Sequence, residues 1–287
     1  MRVLILGSDS PLGRALTDFL GDLGRHELVC LTRSASRWKS ERQAKKAVRR
    51  AQADAVVDIR VEAVADSGQE IVDLDLKRCQ WIAKSCLRDK ACYLFISSSR
   101  VFSGELDRLY NEDDAPDSRD EAGVLLAAAE EVVRAHCDRH LLLRLGPVFA
   151  SEGANLVTRM LGEMIRGQNL VLDNNLRGCP VASADGARVI SALLDQLSTG
   201  AELWGTYHYC SSETATHYEF AEAILAAASQ FSEFGATAVE LEPMDPDAPS
   251  LNRSLECSKI RNTFAIKQQP WRNAIADQVK LYFQQQT

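Results

Sequence analysis

Three observations predict an α/β fold built as a doubly wound parallel sheet, with a smaller α+β lobe interleaved. Short aliphatic runs alternate with helix-spaced segments, a glycine turn joins the first run to the first helix, and no repeat or low-complexity linker sets off a separate second domain. The expected division is residues 1–150 for the large domain, completed by about 176–205, with 151–175 and 206–287 forming the lobe. A chain of 287 residues with 46% hydrophobic composition can bury an ample core.

Val3–Leu6 reads as the first strand. It ends in Gly7-Ser8-Asp9-Ser10-Pro11-Leu12-Gly13, and Leu16, Phe19, Leu20 and Leu23 then recur at helical spacing. Such a turn brings backbone N–H groups to a pyrophosphate at a helix N-terminus, where the dipole favours an anion. The spacing is Gly-x-x-Ser-x-x-Gly, and Ser10 carries a Cβ that restricts the approach. Gly7, Ser10, Pro11, Leu12 and Gly13 are therefore the expected phosphate-side contacts, although a strand–glycine–helix junction can also be purely structural.

Glu27–Arg33 is the second strand. A site for NAD would end it in Asp or Glu, but here it ends in Thr32-Arg33-Ser34, with Arg37 and Lys39 close by. Arg33 suits the 2′-phosphate of NADP(H) better than the ribose of NAD(H), and it equally suits a solvent-facing position. Ala53–Ile59 is strand three, which puts Asp58 and Ile59 at the cofactor side. Helical spacing over Val72–Cys86 leads to strand four, Ala91–Ile96, which runs into Ser97-Ser98-Ser99-Arg100-Val101-Phe102. In a doubly wound sheet this serine cluster lies beyond a strand's carboxyl end, where ligands bind; a turn or helix cap would also use it.

An acidic loop around Tyr110–Pro116 precedes an alanine-rich helix beginning at Glu121. Strand five is His140–Pro147, Asn155–Ile165 is amphipathic, Val171–Pro180 is loop-like and Asp185–Leu197 is helical. Thr206–Cys210 is a strand backed by a helix over Thr216–Ala228.

The formal charge of −7 and the scattered basic residues exclude a nucleic-acid footprint, and Lys39–Arg50 reads as a solvated helix face. The eight cysteines show no Cys-x-x-Cys and no histidine at metal-ligand spacing, so reduced, mostly buried thiols and no metal are expected. The apolar run at the start is too short for a signal-peptide core or a membrane span, and a cytoplasmic location without membrane contact is expected.

Several segments, in order, resemble the extended short-chain dehydrogenases and specifically their dTDP-4-dehydrorhamnose reductase (RmlD-like) branch. They are Ile96–Gly104, Tyr110–Asp114, Asp173–Pro180 with its Gly-x-Pro ending, Gly205–His208 with Tyr218–Ala221, and Leu255–Ile260 followed by Pro270-Trp271-Arg272. The resemblance implies an N-terminal Rossmann domain for a nicotinamide cofactor, touched also by Ser97, and a lobe for a nucleotide-linked sugar. It implies substrate contacts at Val101, Phe102, Asn155, Arg177, Gly178 and Pro180, each with a second reading as a turn or packing residue. A protein partner or homodimer is also compatible with it.

The family's catalytic set is Ser or Thr, Tyr and Lys. Gly123 and Glu130 fix the register of the mid-chain helix, so the tyrosine position is Ala122 and the lysine position is Leu126; only Ser98 remains. A tyrosine hydroxyl titrates near pH ~10 and needs an adjacent cation to work as a proton donor at lower pH. Alanine transfers no proton, leucine supplies no charge, and no lysine occurs between Lys90 and Lys259. Tyr110 could approach from its loop, whereas Arg100 donates hydrogen bonds without losing a proton. Three readings follow. The first is a catalytically silent binding, sensor or regulatory protein, as the regulatory subunit of methionine adenosyltransferase is within the family. The second is an NADPH-dependent oxidoreductase reducing a nucleotide-linked 4-keto sugar or other carbonyl through a non-standard proton donor. The third is a structural partner without ligand binding, to which Ser10 and Asp58-Ile59-Arg60 point.

Overall fold

In the computed structural model, which describes all residues except 67, 236, 243–249 and 287, six parallel strands form the central sheet. They are β1 (Arg2–Leu6), β2 (Glu27–Leu31), β3 (Ala55–Asp58), β4 (Cys92–Ser98), β5 (His140–Leu145) and, later in the chain, Gly205–Tyr209. In space they run β2-β1-β3-β4-β5 and then Gly205–Tyr209, every pair parallel. The chain turns outward in both directions from β1, so the switch point lies between β1 and β3, and ligands bind at such crevices. β1, β3 and β4 are buried on both faces, which is why they read as continuous apolar runs rather than alternating ones.

The flanking helices are α1 (Pro11–Leu23), α2 (Glu41–Ala51), α3 (Arg60–Asp66), α4 (Asp73–Asp89) and α5 (Glu121–His136). α1 starts as its sequence dictates: Pro11 takes the first turn and the Ser10 side chain caps it, accepting from the Gly13 N–H at 3.1 Å. Gly24 ends it in the left-handed conformation. After β5 come β6 (Val148–Phe149), α6 (Leu156–Ile165), β7 (Leu170–Leu172), β8 (Leu176–Gly178), β9 (Val181–Ala182) and α7 (Ser183–Ser198). They are followed by β10 (Gly205–Tyr209), β11 (Ala215–Thr216), α8 (His217–Ala228), β12 (Val239–Leu241), β13 (Leu251–Asn252), α9 (Ser258–Phe264) and α10 (Arg272–Gln286).

Two apolar cores result. The larger fills both faces of the sheet. The smaller gathers Phe149, Val157, Leu161, Phe220, Ile224 and Trp271 between α6, α8 and α10. This corrects the expected division in two places. β10 pairs with β5 as the sixth strand of the large sheet, and Ile260 and Phe264 of α9 pack into the large core, so neither belongs with the lobe. β8, expected to complete the large domain, pairs instead with β11 and β13 in a small sheet of the lobe. Val171–Pro180 is likewise not a plain loop, since it carries β7 and β8.

A buried ion pair holds α5 on the sheet. Arg144 of β5 donates from Nε and Nη2 to the two carboxylate oxygens of Glu130 at 2.9 and 2.6 Å. The Ser97 hydroxyl of β4 adds a bond at 2.7 Å, and Arg134 another at 2.9 Å. Burial pushes the Glu130 carboxyl up, but Arg144, Ser97 and Arg134 outweigh it and hold the group below its ordinary range. Next along, His208 of β10 lies with Nε2 3.3 Å from Arg144 and Nδ1 3.1 Å from the Tyr110 carbonyl oxygen. Burial, with the Arg144 charge beside it, pushes the His208 imidazole down to about 3. It is therefore the neutral ring, donating from Nδ1 and accepting at Nε2.

Two outcomes follow. Glu130→Ala strands the Arg144 charge in the core and costs about 3–5 kcal/mol in denaturant unfolding; a loss below about 1 kcal/mol would contradict a fully buried pair. For pH, the folded protein keeps His208 neutral down to about 3, while an unperturbed imidazole protonates near 6.5. The depressed native value means that stability is complete above about 6.5 and declines by up to about 1.4 kcal/mol for each pH unit below it. The Glu130 carboxyl, also depressed, adds to the loss once pH falls below its unperturbed 4.5. Denaturation midpoints that stay level from about pH 7 to about pH 4 would contradict the His208 assignment.

Candidate functional site

The carboxyl ends of β4 and β5, with the end of α3, open onto a cavity of about 360 Å³ closed on its far side by the lobe. The 3-10 turn Ser99–Val101 forms the near wall. Ser98 caps it, its Oγ accepting from the Arg100 N–H at 3.3 Å, and both Ser98 and Ser99 face the cavity. Asn155 and Arg159 enter from the start of α6, Arg177, Gly178 and Pro180 from β8 and the loop beyond it, and His217 and Phe220 from α8. Arg253 completes the wall.

Four arginines therefore line one cavity: Arg100, Arg159, Arg177 and Arg253. Their carboxylate partners stand behind them. Asp120 pairs with Arg100 at 3.2 Å and with Arg253 at 3.5 Å, and Glu219 lies 3.4 Å from Arg177. Burial, with Arg100 nearby, lowers the Arg253 pKa despite Asp120, so this cation is only partly compensated. No aspartate or glutamate is among the described residues of the wall, and neither is a tyrosine or lysine. His217 is the one lining group of ordinary acid–base type, and burial lowers its pKa.

α5 has the register that Gly123 and Glu130 imply. A Cβ on Gly123 would lie 2.2 Å from the Arg100 carbonyl oxygen, so the helix passes too close to the turn for any other residue. Leu126 is fully buried in the core. Ala122 borders a second cavity of about 340 Å³, and the Arg100 side chain lies between that space and the lobe cavity. Arg100 donates from Nη1 to the Ala65 carbonyl at 2.8 Å, bridging from the turn after β4 to α3.

Several expected contacts sit elsewhere. Val101 and Phe102 are fully buried and do not line the cavity; Phe102 stacks on Tyr110 at 4.1 Å between ring centroids. The Tyr110 hydroxyl is enclosed too, accepting from the Gly104 N–H at 2.9 Å, and does not line the cavity. Ser97 is held by Glu130 in the core rather than offered to a ligand. Asn155 lines the cavity, but its amide is engaged in capping α6, accepting from Val157 N–H and donating to the Glu152 carbonyl.

On the cofactor side, Gly7 takes φ +88°, and a Cβ on Gly13 would lie 2.1 Å from the Gly7 carbonyl oxygen, so both glycines are demanded by the turn itself. Ser10 is fully buried and donates its hydroxyl to the Gly7 carbonyl at 2.8 Å. Arg33 borders a cavity of about 300 Å³ with Arg37, Arg60 and Arg78, and its N–H donates to Asp9 at 2.6 Å. Asp58 and Ile59 are fully buried. The Asp58 carboxylate is consumed by Arg60, at 2.8 and 2.7 Å, and by the Tyr93 hydroxyl at 2.8 Å, so it faces no ligand. The room left beside Pro11 and Leu12 is about 10 Å³, enough for about one water molecule. Arg159, His217 and Arg253 escaped sequence reasoning because nothing in their neighbourhood marks them; Glu62, which lines that small space, lies on α3, a helix the sequence reading did not foresee.

The parallel order, the glycine turn and the lobe cavity define a Rossmann-type α/β protein of the extended short-chain dehydrogenase class. More narrowly, the model of the RmlD substrate binding domain matches residues 1–283, and the chain belongs to that family. A dTDP-4-dehydrorhamnose reductase of Aggregatibacter actinomycetemcomitans is 24% identical over 284 residues, covering 96% of this chain and 97% of the relative. Methionine adenosyltransferase 2 subunit beta of Mus musculus is 26% identical over 298 residues, covering 96% of this chain and 86% of that one. Among solved structures, the dTDP-4-dehydrorhamnose reductase of Bacillus anthracis in complex with NADP superimposes with a TM-score of 0.80 at 18% identity, covering 98% of this chain and 99% of that one.

The close pass at Gly123 can be tested directly. Gly123→Ala should destabilise the protein by about 1–3 kcal/mol through overpacking against Arg100 and Ser118. An unchanged melting temperature would mean that α5 is not pinned at this point.

Proposed function

We propose that this chain is a catalytically silent RmlD-type protein, holding a nucleotide-linked sugar or similar phosphorylated ligand in the lobe cavity in a binding, sensor or regulatory role. One observation carries the reading: the positions of the catalytic tyrosine and lysine are Ala122 and Leu126, and no other tyrosine or lysine among the described residues lines the cavity. Carbonyl reduction needs a proton delivered to oxygen as hydride reaches carbon. Loss of general acid catalysis alone removes roughly 10²–10⁴-fold in rate. Ser98 keeps a hydroxyl that can hydrogen-bond a carbonyl, and arginine supplies donors but no transferable proton. The retained chemistry is that of binding: guanidinium groups pair with phosphate oxygens in a fixed fork geometry.

Of the two nicotinamide dinucleotides, Arg33 and Arg37 at the end of β2 favour NADP(H) over NAD(H) for any molecule that reaches them. A second reading, an active NADPH-dependent reductase, draws on His217, the only lining group among the described residues able to exchange a proton near neutral pH. Burial keeps this imidazole neutral, which makes it a weak acid.

The reading predicts that dTDP binds the purified chain and that Arg177→Ala weakens it about tenfold, the loss of one charge-assisted contact. It further predicts that NADPH is not oxidised when a dTDP-4-keto sugar is added. Turnover abolished by His217→Ala would transfer the assignment to the reductase reading. Failure of dTDP to bind would leave the lobe cavity without the ligand class assigned to it.

A further inference from the structure

The groove that carries the dinucleotide in this fold runs across the carboxyl ends of the strands at the switch point, with the pyrophosphate on the N-terminus of the first helix. We infer that the chain's own side chains fill this groove, so that the lobe cavity takes its ligand without a nicotinamide cofactor. The inference rests on fold and family membership, not on catalytic silence.

Three stations of the groove carry the chain's own side chains, with open space to their outer sides, beside Arg33 and Arg37 and beside Ala122. At the adenosine end, Arg60 leaves the end of β3 and passes over Gly7, whose missing Cβ would sit 3.3 Å from the Arg60 backbone nitrogen and 3.4 Å from its Cγ. Its guanidinium grips Asp58 with two bonds, reaches the Ser36 carbonyl at 3.3 Å and lies 5.5 Å from the Trp38 ring centroid, in the loop after β2. At the pyrophosphate station, Glu62 is 3% exposed and borders the same 10 Å³ space as Ser10, Pro11 and Leu12. α1 has no acidic residue in its own first turn, so a carboxylate arriving from α3 supplies negative charge at the positive end of the dipole, where a phosphate would otherwise sit. At the nicotinamide end, the Arg100–Ala65 bond spans the gap between the β4 turn and α3.

The outer side is shut as well. A Cβ on Gly153 would lie 2.9 Å from the Pro11 ring, and Glu152 pairs with Arg14 of α1 at 2.5 Å, so the loop after β6 lies against the start of α1. Nor is Arg60 free to swing aside. Asp58 is fully buried and also accepts from Tyr93, and moving the guanidinium away would leave that carboxylate uncompensated in the core. The filling is part of the packed structure rather than a lid.

Calorimetric titration of NADP⁺, NADPH and NAD⁺ into the intact chain tests this, together with two variants that open the groove. Glu62→Ala leaves the Asp58–Arg60 pair intact, and Asp58→Asn combined with Arg60→Ala removes both charges so that neither is stranded. The expected result is no saturable binding to the wild type up to about 1 mM, and at least a tenfold gain, roughly, in either folded variant. Micromolar saturation of the wild type overturns the inference. So does a folded variant, verified by circular dichroism and a cooperative melt, that binds no better than the wild type. Should the double variant unfold, Glu62→Ala and the wild-type titration decide between these outcomes. NADPH that binds the wild type without being oxidised sinks the filled groove and leaves the silent-binding reading standing, whereas reduction of a keto sugar sinks both.

Discussion

The Glu130–Arg144 pair is the constraint on which the reading of this molecule depends. It lies in the core, and through Ser97, Arg134 and His208 it joins α5 to β4, β5 and β10. Two turns upstream, Gly123 passes against the backbone of Arg100. A helix pinned at both points has no freedom to rotate or slide, which fixes where its side chains face: Ala122 onto the space beside Arg100 and Leu126 into the core. A buried ion pair contributes little net stability compared with a well-packed apolar substitute. What this one supplies is register, and on that register rests the proposal that alanine and leucine stand at the family's tyrosine and lysine positions.

The tyrosine and lysine nearest in kind to the missing pair are engaged in holding the structure together. The Tyr110 hydroxyl receives backbone N–H groups of its own loop, and Lys259 donates to the Thr206 carbonyl at 2.8 Å and lies over the Tyr207 ring. Asp58, at the end of a strand that points toward the cofactor groove, is neutralised by Arg60 and Tyr93. The two ends of the site differ: in the proposed filled groove, charged side chains satisfy one another, while the lobe cavity is open and lined by four arginines.

Much of this was legible in the sequence. The glycine turn, the five leading strands and the helices behind them follow from local patterning, because a parallel sheet buried on both faces produces aliphatic runs that only strands of four to seven residues explain. Ser98, Arg177, Gly178 and Pro180 could be placed at the cavity from motif order alone. Val101 and Phe102 could not be separated from true lining residues, because a residue beside a ligand loop and one beneath it share the same sequence neighbourhood. The 3-10 turn aims their side chains inward, a detail of three residues' dihedrals. α3 was illegible for a related reason: seven residues are too few for a period to declare itself, and it carries both Arg60 and Glu62. The assignment of β10 failed because membership of a sheet edge is decided by long-range pairing with β5, which no local pattern reports.

The most direct measurement is native mass spectrometry of the intact chain incubated with NADPH and dTDP together. A molecule with a filled dinucleotide groove and a retained lobe cavity gives a peak shifted by the mass of dTDP alone. A peak carrying NADPH, with or without dTDP, would contradict it.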